Sequence, residues 1–342
     1  MEEPKIIKAE CLVTYNCPLE CKTCKVYKMG ERFPEPEFDL EKWKKAFKII
    51  YKDLNSDFIC IYGAEPLTLG LKNLGDIVLE LNKYAKDGKS YSVISNGLLL
   101  NTKAIDYLVS KRLDSISCSI DTIDGGTYDI SSKVKSSKGL KALDKFKKKG
   151  VRDTCGIITV NRKNIHNVPR IARQLIERGH YVNIDLIHYD KQNGNDTFSA
   201  SKEELEDIIF KEEDIPILSK IADELIKIKK ESNMIFPSVE YFELWKDKNY
   251  SIELGWKCGS EPQPHSITLR PDFHIQNCDC YAGEDVGKYT IFDLPKKWDE
   301  FSINYFDDAT DCPGCFWSTH FMATEIMKNY DRRKIDQYQH RE

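Results

Sequence analysis

Between its start and about residue 190, the chain alternates strand-like and helix-like patterns six times. The strand-like runs are Ile6–Val13, Phe58–Tyr62, Tyr91–Ser95, Ser115–Ile120, Cys155–Val160 and Tyr181–Ile187. The helical stretches, with apolar residues three and four apart, include Leu40–Tyr51, Leu74–Tyr84, Ala104–Ser110, Leu140–Lys149 and Val168–Arg178. Several of them end at a glycine in the C-cap position, namely Gly88, Gly150 and Gly179. Six β/α units in a row predict an α/β fold whose parallel sheet curls into a partial or full barrel.

Composition narrows the class of protein. A length of 342 residues allows one large α/β domain and a smaller appendage. The net charge of −4 offers no general attraction to nucleic acid or to an anionic membrane. No apolar run approaches about 18 residues, and the first residues do not resemble a secretion signal. We therefore expect a cytoplasmic protein that binds neither nucleic acid nor membranes, in which 12 cysteines favour metal or redox chemistry over disulfides.

Three cysteines stand close together after the first predicted strand, at Cys17, Cys21 and Cys24. Three thiolates can hold three corners of a cubane iron–sulfur cluster and leave one iron open to a substrate or cofactor. A structural zinc site or plain structural thiols are the alternatives. Zinc prefers four ligands, and no fourth cysteine or histidine lies nearby in the sequence.

Polar residues occupy one face of the later strands, where a buried parallel sheet is normally apolar. In the fourth strand Ser115, Ser117, Ser119 and Asp121 alternate with apolar residues. The fifth and sixth strands repeat the feature with Thr159, Asn161, Asn183 and Asp185. Because active sites of such folds gather at the C-terminal ends of the strands, the set predicts a site there. The alternative is that each residue sits at a frayed strand end and contacts only water.

A second set of cysteines lies in the last third of the chain. Ser266–Ile275 has the pattern of a hairpin turning near Pro271, and Leu294–Phe301 that of a helix. The cysteines around these elements are Cys258, Cys278, Cys280, Cys312 and Cys315. A CxxC turn together with two cysteines beside a hairpin is typical of a four-ligand metal site, with a zinc ribbon as the alternative.

Taken together, the first cysteine motif and the later strand ends resemble the radical S-adenosylmethionine (radical SAM) superfamily. The quoted motifs are Cys-x3-Cys-x2-Cys, Gly63-Ala64-Glu65-Pro66 after the second strand, and Ser95-Asn96-Gly97 after the third. The resemblance implies a [4Fe–4S] cluster on Cys17, Cys21 and Cys24. It further implies SAM contacts from Gly63, Ala64, Glu65, Pro66, Ser95, Asn96, Ser119, Asp121, Asn161 and Ile187.

The C-terminal region resembles the twitch domain of the same enzymes, a half-size SPASM domain that carries one auxiliary [4Fe–4S] cluster. The implied ligands are Cys258, Cys278, Cys312 and Cys315. Phe273 stands where that pattern has glycine, so we expect a different hairpin turn. Implied boundaries are a barrel at 1–190, a helix-rich insert at 191–250, a twitch-like hairpin-plus-helix domain at 251–330 and a polar tail at 331–342.

The resemblance implies reductive cleavage of SAM to a 5′-deoxyadenosyl radical and hydrogen abstraction from a substrate. We favour a ribosomally made peptide as substrate, with epimerisation or crosslinking as the reaction. The alternatives are dehydrogenation of a small alcohol or aminosugar, and a non-catalytic iron–sulfur or zinc protein. Implied partners are an electron donor such as flavodoxin or ferredoxin and a separate peptide-recognition protein.

Three residues are candidates for the chemistry on the substrate. Cys280 would donate a hydrogen atom to a carbon radical, as a cysteine does in related peptide epimerases; a bystander thiol or a ligand that replaces Cys278 is the alternative. Asp185 and His188 could accept a proton, although such residues more often have structural roles.

Overall fold

A computed structural model describes residues 4–33, 35–123, 130–191, 199–256, 264–276 and 288–328. Its centre is an eight-stranded sheet with the order β6-β5-β4-β3-β2-β1-β7-β8. The strands are β1 Lys8–Leu12, β2 Phe58–Tyr62, β3 Ser90–Ser95, β4 Ser115–Ser119, β5 Asp153–Val160, β6 Tyr181–Leu186, β7 Ser266–Leu269 and β8 Ile275–Gln276. All neighbours are parallel except β7 and β8. The predicted α/β fold with a parallel sheet is therefore confirmed.

Helices follow the strands in the order that the periodicity predicted. Within the described residues the α-helices are α1 Met29–Arg32, α2 Leu40–Lys48, α3 Leu71–Leu81, α4 Thr102–Ser110, α5 Ile130–Lys148, α6 Val168–Glu177, α7 Ile215–Glu231, α8 Val239–Leu244, α9 Leu294–Asp311 and α10 Ser318–Lys328. The predicted helix ends are confirmed at Gly88, Gly150 and Gly179. These glycines have φ angles of +74°, +85° and +79°, which is the left-handed conformation that a helix C-cap requires.

Each inner strand divides its side chains between two environments. Ala9 and Cys11 of β1 face the helices and pack into the main apolar core with Trp43 and Phe47 of α2. Alternate residues face the interior of the curved sheet, where β3 and β4 place hydroxyl groups rather than apolar side chains. There Ser92 Oγ lies 3.2 Å from Ser117 Oγ and accepts a hydrogen bond from Ser115 Oγ over 3.0 Å. The serine face is therefore satisfied internally.

The predicted hairpin at Ser266–Ile275 is confirmed as β7 and β8, and it continues the main sheet. Lys8 pairs with Ser266 and Cys11 with Leu269, so β7 extends the parallel sheet on the far side of β1. Phe273 in the turn has a φ of +68°, the region that favours glycine. Phenylalanine therefore takes a backbone conformation that favours glycine, and the different hairpin turn remains a prediction.

Some predicted features lie outside the described residues. They are Cys258, Cys278, Cys280 and the tail 331–342. Among the helices that are described, none combines the length and the apolar character that crossing a bilayer requires.

Candidate active site at the barrel mouth

The first cysteine motif forms a loop at the C-terminal end of β1. The sulfur of Cys17 accepts hydrogen bonds from the Leu19 amide over 3.4 Å and from Asn96 Nδ2 over 3.5 Å. A backbone bond of 3.1 Å from Cys24 N to the Cys21 carbonyl closes the next turn. All three cysteines are half-buried. Sulfur that accepts N–H donors suits a thiolate ligand, so the donor set fits an iron–sulfur cluster.

The thiol of Cys17 lies in an environment that disfavours its charged form in the absence of metal. Burial raises the pKa of Cys17, and the charges of Glu65 and Cys21 raise it further, while the Leu19 amide acts in the opposite direction. A bound metal ion would reverse this balance because it stabilises the thiolate directly. Within the described residues, no three His, Cys, Asp or Glu side chains already converge at metal-binding distances.

The loop Gly63–Pro66 after β2 packs directly on the segment that leads to Cys17. Ala64 N donates to the Thr14 carbonyl over 3.1 Å, and Glu65 N donates to the Asn16 carbonyl over 2.9 Å. A Cβ atom on Gly63 would lie 2.8 Å from the Thr14 carbonyl oxygen, so the approach requires glycine. Two of the predicted motifs are therefore adjacent in space.

Glu65 connects this loop to the end of β3. Its buried carboxylate accepts hydrogen bonds from Ser95 Oγ (2.9 and 3.1 Å), Asn96 N (2.8 Å) and Leu67 N (3.2 Å). Burial raises the pKa of Glu65, while these donors oppose the rise by stabilising the charged form. Pro66 begins the short 3₁₀ helix Pro66–Leu69 that Glu65 caps. The side chain of Glu65 is thus engaged in holding two loops together.

The remaining predicted SAM contacts lie at the same edge of the sheet. Ser119 is the last residue of β4, partly exposed, and Ile187 directly follows β6, buried. Asp121 Oδ1 accepts from Thr159 N over 3.0 Å, and so joins the ends of β4 and β5. Asn161 shapes its own turn, because its Oδ1 accepts from Lys163 N over 2.9 Å.

Asp185 and His188, the two predicted proton acceptors, have well-defined surroundings. Asp185 is buried and accepts hydrogen bonds from the backbone and the hydroxyl of Ser318. Burial raises its pKa to about 6, and the Ser318 donors limit that rise. His188 lies among the rings of Tyr189, Phe316 and Trp317, at centroid distances of 6.4, 5.9 and 6.2 Å.

Two of the four predicted auxiliary ligands are described, Cys312 and Cys315. Gly314 N donates to Cys312 Sγ over 3.4 Å, the same kind of contact that Cys17 makes in its loop. Cys315 pairs with Trp256 through backbone bonds of 2.6 and 3.0 Å. A Cβ atom on Gly255 would lie 2.3 Å from the Cys315 carbonyl oxygen, so this pairing also requires glycine.

Sequence reasoning missed the acidic residues that hold the first cysteine loop. Within the acidic run at 203–207, Glu204 pairs with Lys25 over 2.5 Å and Asp207 pairs with Lys22 over 2.5 Å. A backbone bridge between Cys24 and Ser199 lies beside these ion pairs. The two lysines that flank the third cysteine were the only available signal, and lysines on exposed loops are too common to indicate a partner.

The chain resembles known proteins in part of its sequence and in its fold. Residues 11–175 match the family model described as radical SAM superfamily, so this part of the chain is similar to a radical SAM domain. No curated protein matches the chain. SuiB from Streptococcus suis has a similar fold with a TM-score of 0.60, 15% identity and coverage of 86% of this chain and 65% of SuiB.

Two further structures were determined with peptides. SuiB bound to precursor peptide SuiA matches with a TM-score of 0.61, 13% identity and coverage of 86% of this chain and 64% of SuiB. Native anSMEcpe with bound AdoMet and Cp18Cys peptide matches with a TM-score of 0.59, 17% identity and coverage of 89% of this chain and 82% of that one. At such identities the likeness concerns the fold alone, and the chain spans less than two thirds of SuiB.

Proposed function

We propose that this protein reductively cleaves SAM and uses the resulting radical to modify a peptide. The observation that carries the proposal is the network around Glu65, which joins the Gly63–Pro66 loop to Ser95 and Asn96, while Asn96 reaches Cys17. When bound, a [4Fe–4S] cluster supplies the electron that splits SAM into methionine and a 5′-deoxyadenosyl radical, which then takes a hydrogen atom from the substrate. The protein contributes binding, orientation and exclusion of water.

Different residues of the chain would bind the cluster and the parts of SAM. Cys17, Cys21 and Cys24 would hold the cluster, closing around it on loading. The Gly63–Pro66 loop, Ser95 and Asn96 are proposed to bind the methionine part of SAM. The support is that this loop bonds to Thr14 and Asn16 just before Cys17, and that Asn96 bonds to the sulfur of Cys17. The residues at the ends of the later strands are proposed to contact the rest of the cofactor, and they are Ser119, Asp121, Asn161 and Ile187.

An auxiliary [4Fe–4S] cluster on Cys258, Cys278, Cys312 and Cys315 is part of the proposal. Its support is the N–H donor on Cys312 and the pairing of Cys315 with Trp256, which stands two residues before Cys258 in the chain. A flavodoxin or ferredoxin would supply electrons. Cys280 is proposed as the hydrogen-atom donor and His188 as a proton acceptor.

The proposed substrate is a ribosomally made peptide, and the proposed reaction is epimerisation or crosslinking. Its support is the fold shared with SuiB and anSMEcpe, both of which were crystallised with peptides. A separate peptide-recognition protein is proposed as a partner.

Anaerobic reconstitution tests the cofactor assignment. We expect roughly eight irons per chain, and 5′-deoxyadenosine on addition of SAM and dithionite. Replacing Cys17, Cys21 and Cys24 together with alanine should remove about half of the iron and all of the 5′-deoxyadenosine. Replacing Cys312 and Cys315 should remove the other half only. The control Cys11→Ala, in the apolar core that faces the helices, should change neither. Zinc in place of iron, with no 5′-deoxyadenosine, would contradict the proposal.

The substrate class needs a separate experiment. Candidate peptides incubated with the loaded enzyme in D₂O should gain deuterium at a carbon if the product is an epimer, or lose two hydrogens if a crosslink forms. Turnover of a small alcohol or aminosugar, with no change in any peptide, would favour the alternative dehydrogenase.

A further inference from the structure

Helix α10 begins inside the curve of the sheet and not in the outer helical layer. Ser318, its first residue, is fully buried and donates to Asp185 and Asn183 of β6. These two residues alternate with Val182 and Ile184, which pack into the core beneath the helices. The side chains of Asp185 and Asn183 therefore face the interior of the barrel, and the start of α10 meets them there.

Asp185 acts as the acceptor for the first turn of this helix. Its Oδ1 accepts from Ser318 N over 2.7 Å and from Ser318 Oγ over 2.6 Å. Its Oδ2 accepts from Asn183 Nδ2 over 2.7 Å, and Asn183 Oδ1 in turn accepts from Ser318 Oγ over 3.2 Å. A carboxylate at a helix N-terminus is favoured both by the unpaired amides and by the helix dipole. Oδ1 of Asp185 therefore binds the start of α10, while Oδ2 binds Asn183 of its own strand.

A second strand contacts the same helix turn. Lys8 of β1 donates to Thr319 Oγ1 over 3.1 Å and to Glu10 Oε1 over 2.8 Å. The two strands lie far apart in the sheet order, since four strands separate β6 from β1. The first turn of α10 therefore bridges the interior of the barrel between them.

The segment that precedes α10 contains the CxxC motif, so the position of the helix sets the position of the cysteines. Ser318 follows Cys315 by three residues. Between them, the Phe316 carbonyl accepts from Tyr241 Oη over 2.7 Å, and that hydroxyl also accepts from Leu186 N, next to Asp185 in β6, over 3.2 Å. Cys315, at one end of this segment, is thus attached to Trp256, and Ser318, at the other end, is attached to β6 of the barrel.

We propose that Asp185 is a positioning residue, which fixes the Cys312–Cys315 loop against the barrel mouth through Ser318, and is not a proton acceptor in the reaction. The link to catalysis rests on the proposed function, because it assumes that the loop holds an auxiliary cluster. Asp185 is buried and both of its oxygens already accept hydrogen bonds, so a substrate would have no open access to it. Burial still raises its pKa to about 6, because the Ser318 donors oppose that rise only in part.

Amide hydrogen exchange and thiol alkylation of the full-length protein test this role without requiring any cluster. Asp185→Ala removes the acceptors, so we expect exchange in residues 312–323 and alkylation of Cys312 to rise by about tenfold or more. Asp185→Asn keeps an acceptor oxygen for Ser318, so its increase should be about threefold or less. Asp114→Asn, at the opposite end of the sheet, is the matched control and should leave this segment unchanged. Exchange in β1–β4 should stay as in the native protein.

If Asp185→Ala fails to fold, Ser318→Ala replaces it. That variant removes one donor and keeps the backbone bond, and a smaller increase confined to the same segment is expected. Unchanged exchange in Asp185→Ala overturns the inference. A second result would also overturn it: an Asp185→Asn enzyme that shows native exchange and forms native amounts of 5′-deoxyadenosine but does not modify the substrate. Such an enzyme would have lost only a proton acceptor. A native protein that forms no 5′-deoxyadenosine refutes the proposed function, while the exchange result still decides the positioning role.

Discussion

The carboxylate of Glu65 accepts a hydrogen bond from the backbone amide of Asn96 over 2.8 Å, which joins the loop after β2 to the end of β3. The side chain of Asn96 continues the connection, since its Nδ2 lies 3.5 Å from the sulfur of Cys17 after β1. Three consecutive strand ends are thus connected through one buried acid. The family-like motifs of the sequence behave as one structural unit, and disturbing its centre should affect all of them.

Replacing Glu65 tests this unit. Glu65→Gln turns one acceptor oxygen into a donor that faces Ser95 and the Asn96 amide, so we expect the free energy of unfolding to fall by about 1–3 kcal/mol. Glu65→Ala leaves three donors unpaired and should cost about 3 kcal/mol or more. Urea denaturation measures both changes, and equilibrium SAM binding should weaken with them. Glu41→Gln, on an exposed side chain, is the control. Native stability in Glu65→Ala would show that the network is dispensable.

Gly255 should be far less tolerant of alanine than Gly150, a second glycine with a positive φ. The ψ of Gly255, −166°, lies in a backbone region that is essentially restricted to glycine, and a Cβ atom there would meet the Cys315 backbone. Its φ is +68° and a Cβ atom would lie 2.3 Å from the Cys315 carbonyl oxygen, whereas Gly150, with a φ of +85°, has nothing within 4 Å. Gly150→Ala should therefore cost only the left-handed strain of about 1–2 kcal/mol. Gly255→Ala should cost at least about 2 kcal/mol more because the Cys315 backbone must move.

Thermal unfolding compares the two glycine variants, and alkylation of Cys315 reports the local displacement. We expect faster alkylation in Gly255→Ala alone. Equal losses of stability in the two variants would contradict the close approach.

At Phe273, backbone strain and side-chain packing have opposite effects on stability. A glycine here would relieve the positive φ, worth about 1–2 kcal/mol. It would also remove a buried ring whose centroid lies 5.0 Å from Trp43 and 5.4 Å from Phe292, a loss of about 3–5 kcal/mol. The net expectation for Phe273→Gly is a destabilisation of about 2–3 kcal/mol. Phe273→Leu keeps the strain and part of the packing, and serves as the comparison. A Phe273→Gly protein more stable than the native one would mean that strain dominates.

Acid should destabilise the protein through two buried histidines. His265 and His320 have ring centroids 5.8 Å apart, and burial holds the pKa of each well below 6.5. The positive charge of Lys8 lowers the pKa of both further. The unfolded chain binds protons on both below pH 6.5 and the folded chain does not. Stability is therefore complete above that pH and declines as pH falls, by about 1.4 kcal/mol per pH unit for each histidine.

Protonation of Asp185 reduces this loss of stability at low pH. Its folded pKa of about 6 lies above the ordinary value of 3.8, so the folded state binds the extra proton between these values and gains stability as pH falls. Below pH 6, the free energy of unfolding should therefore fall with decreasing pH only about as steeply as one histidine alone would make it fall. Denaturation midpoints from pH 8 to pH 5 measure it, with exposed His166→Gln as the control. His320→Gln should flatten the decline, and an unchanged slope would show that His320 is charged when folded.

The parts of the fold that sequence predicted are those that depend on local periodicity. Alternation along β4 and the 3.6-residue repeat of α6 are properties of neighbouring residues, so they can be recognised before any tertiary contact is known. The same applies to Gly150 and Gly179, since a helix C-cap is decided within one turn. The cysteine loop and the Glu65 loop could be assigned to one edge because parallel strands place their C-terminal ends together.

The parts that sequence did not predict depend on partners distant in the chain. The pairing of β7 with β1 was missed, since a short apolar strand does not indicate which strand it will join. The ion pairs of Glu204 and Asp207 were not predicted, because their partners, the lysines of the cysteine loop, are almost two hundred residues away in sequence. Opposite charges at that separation carry no local pattern.

By itself, the sequence determined the order of strands and helices, the identity and spacing of the cysteine donors, and the chemical character of the strand ends. Only the tertiary structure decided which acids serve the architecture. Asp185 meets Ser318 across 133 positions of the chain, and Glu65 meets Asn96 between two separate strands. A carboxylate has the same composition whether it binds a helix end or a substrate. What distinguishes the two is which donors surround it after folding, and long-range packing alone brings those donors into place.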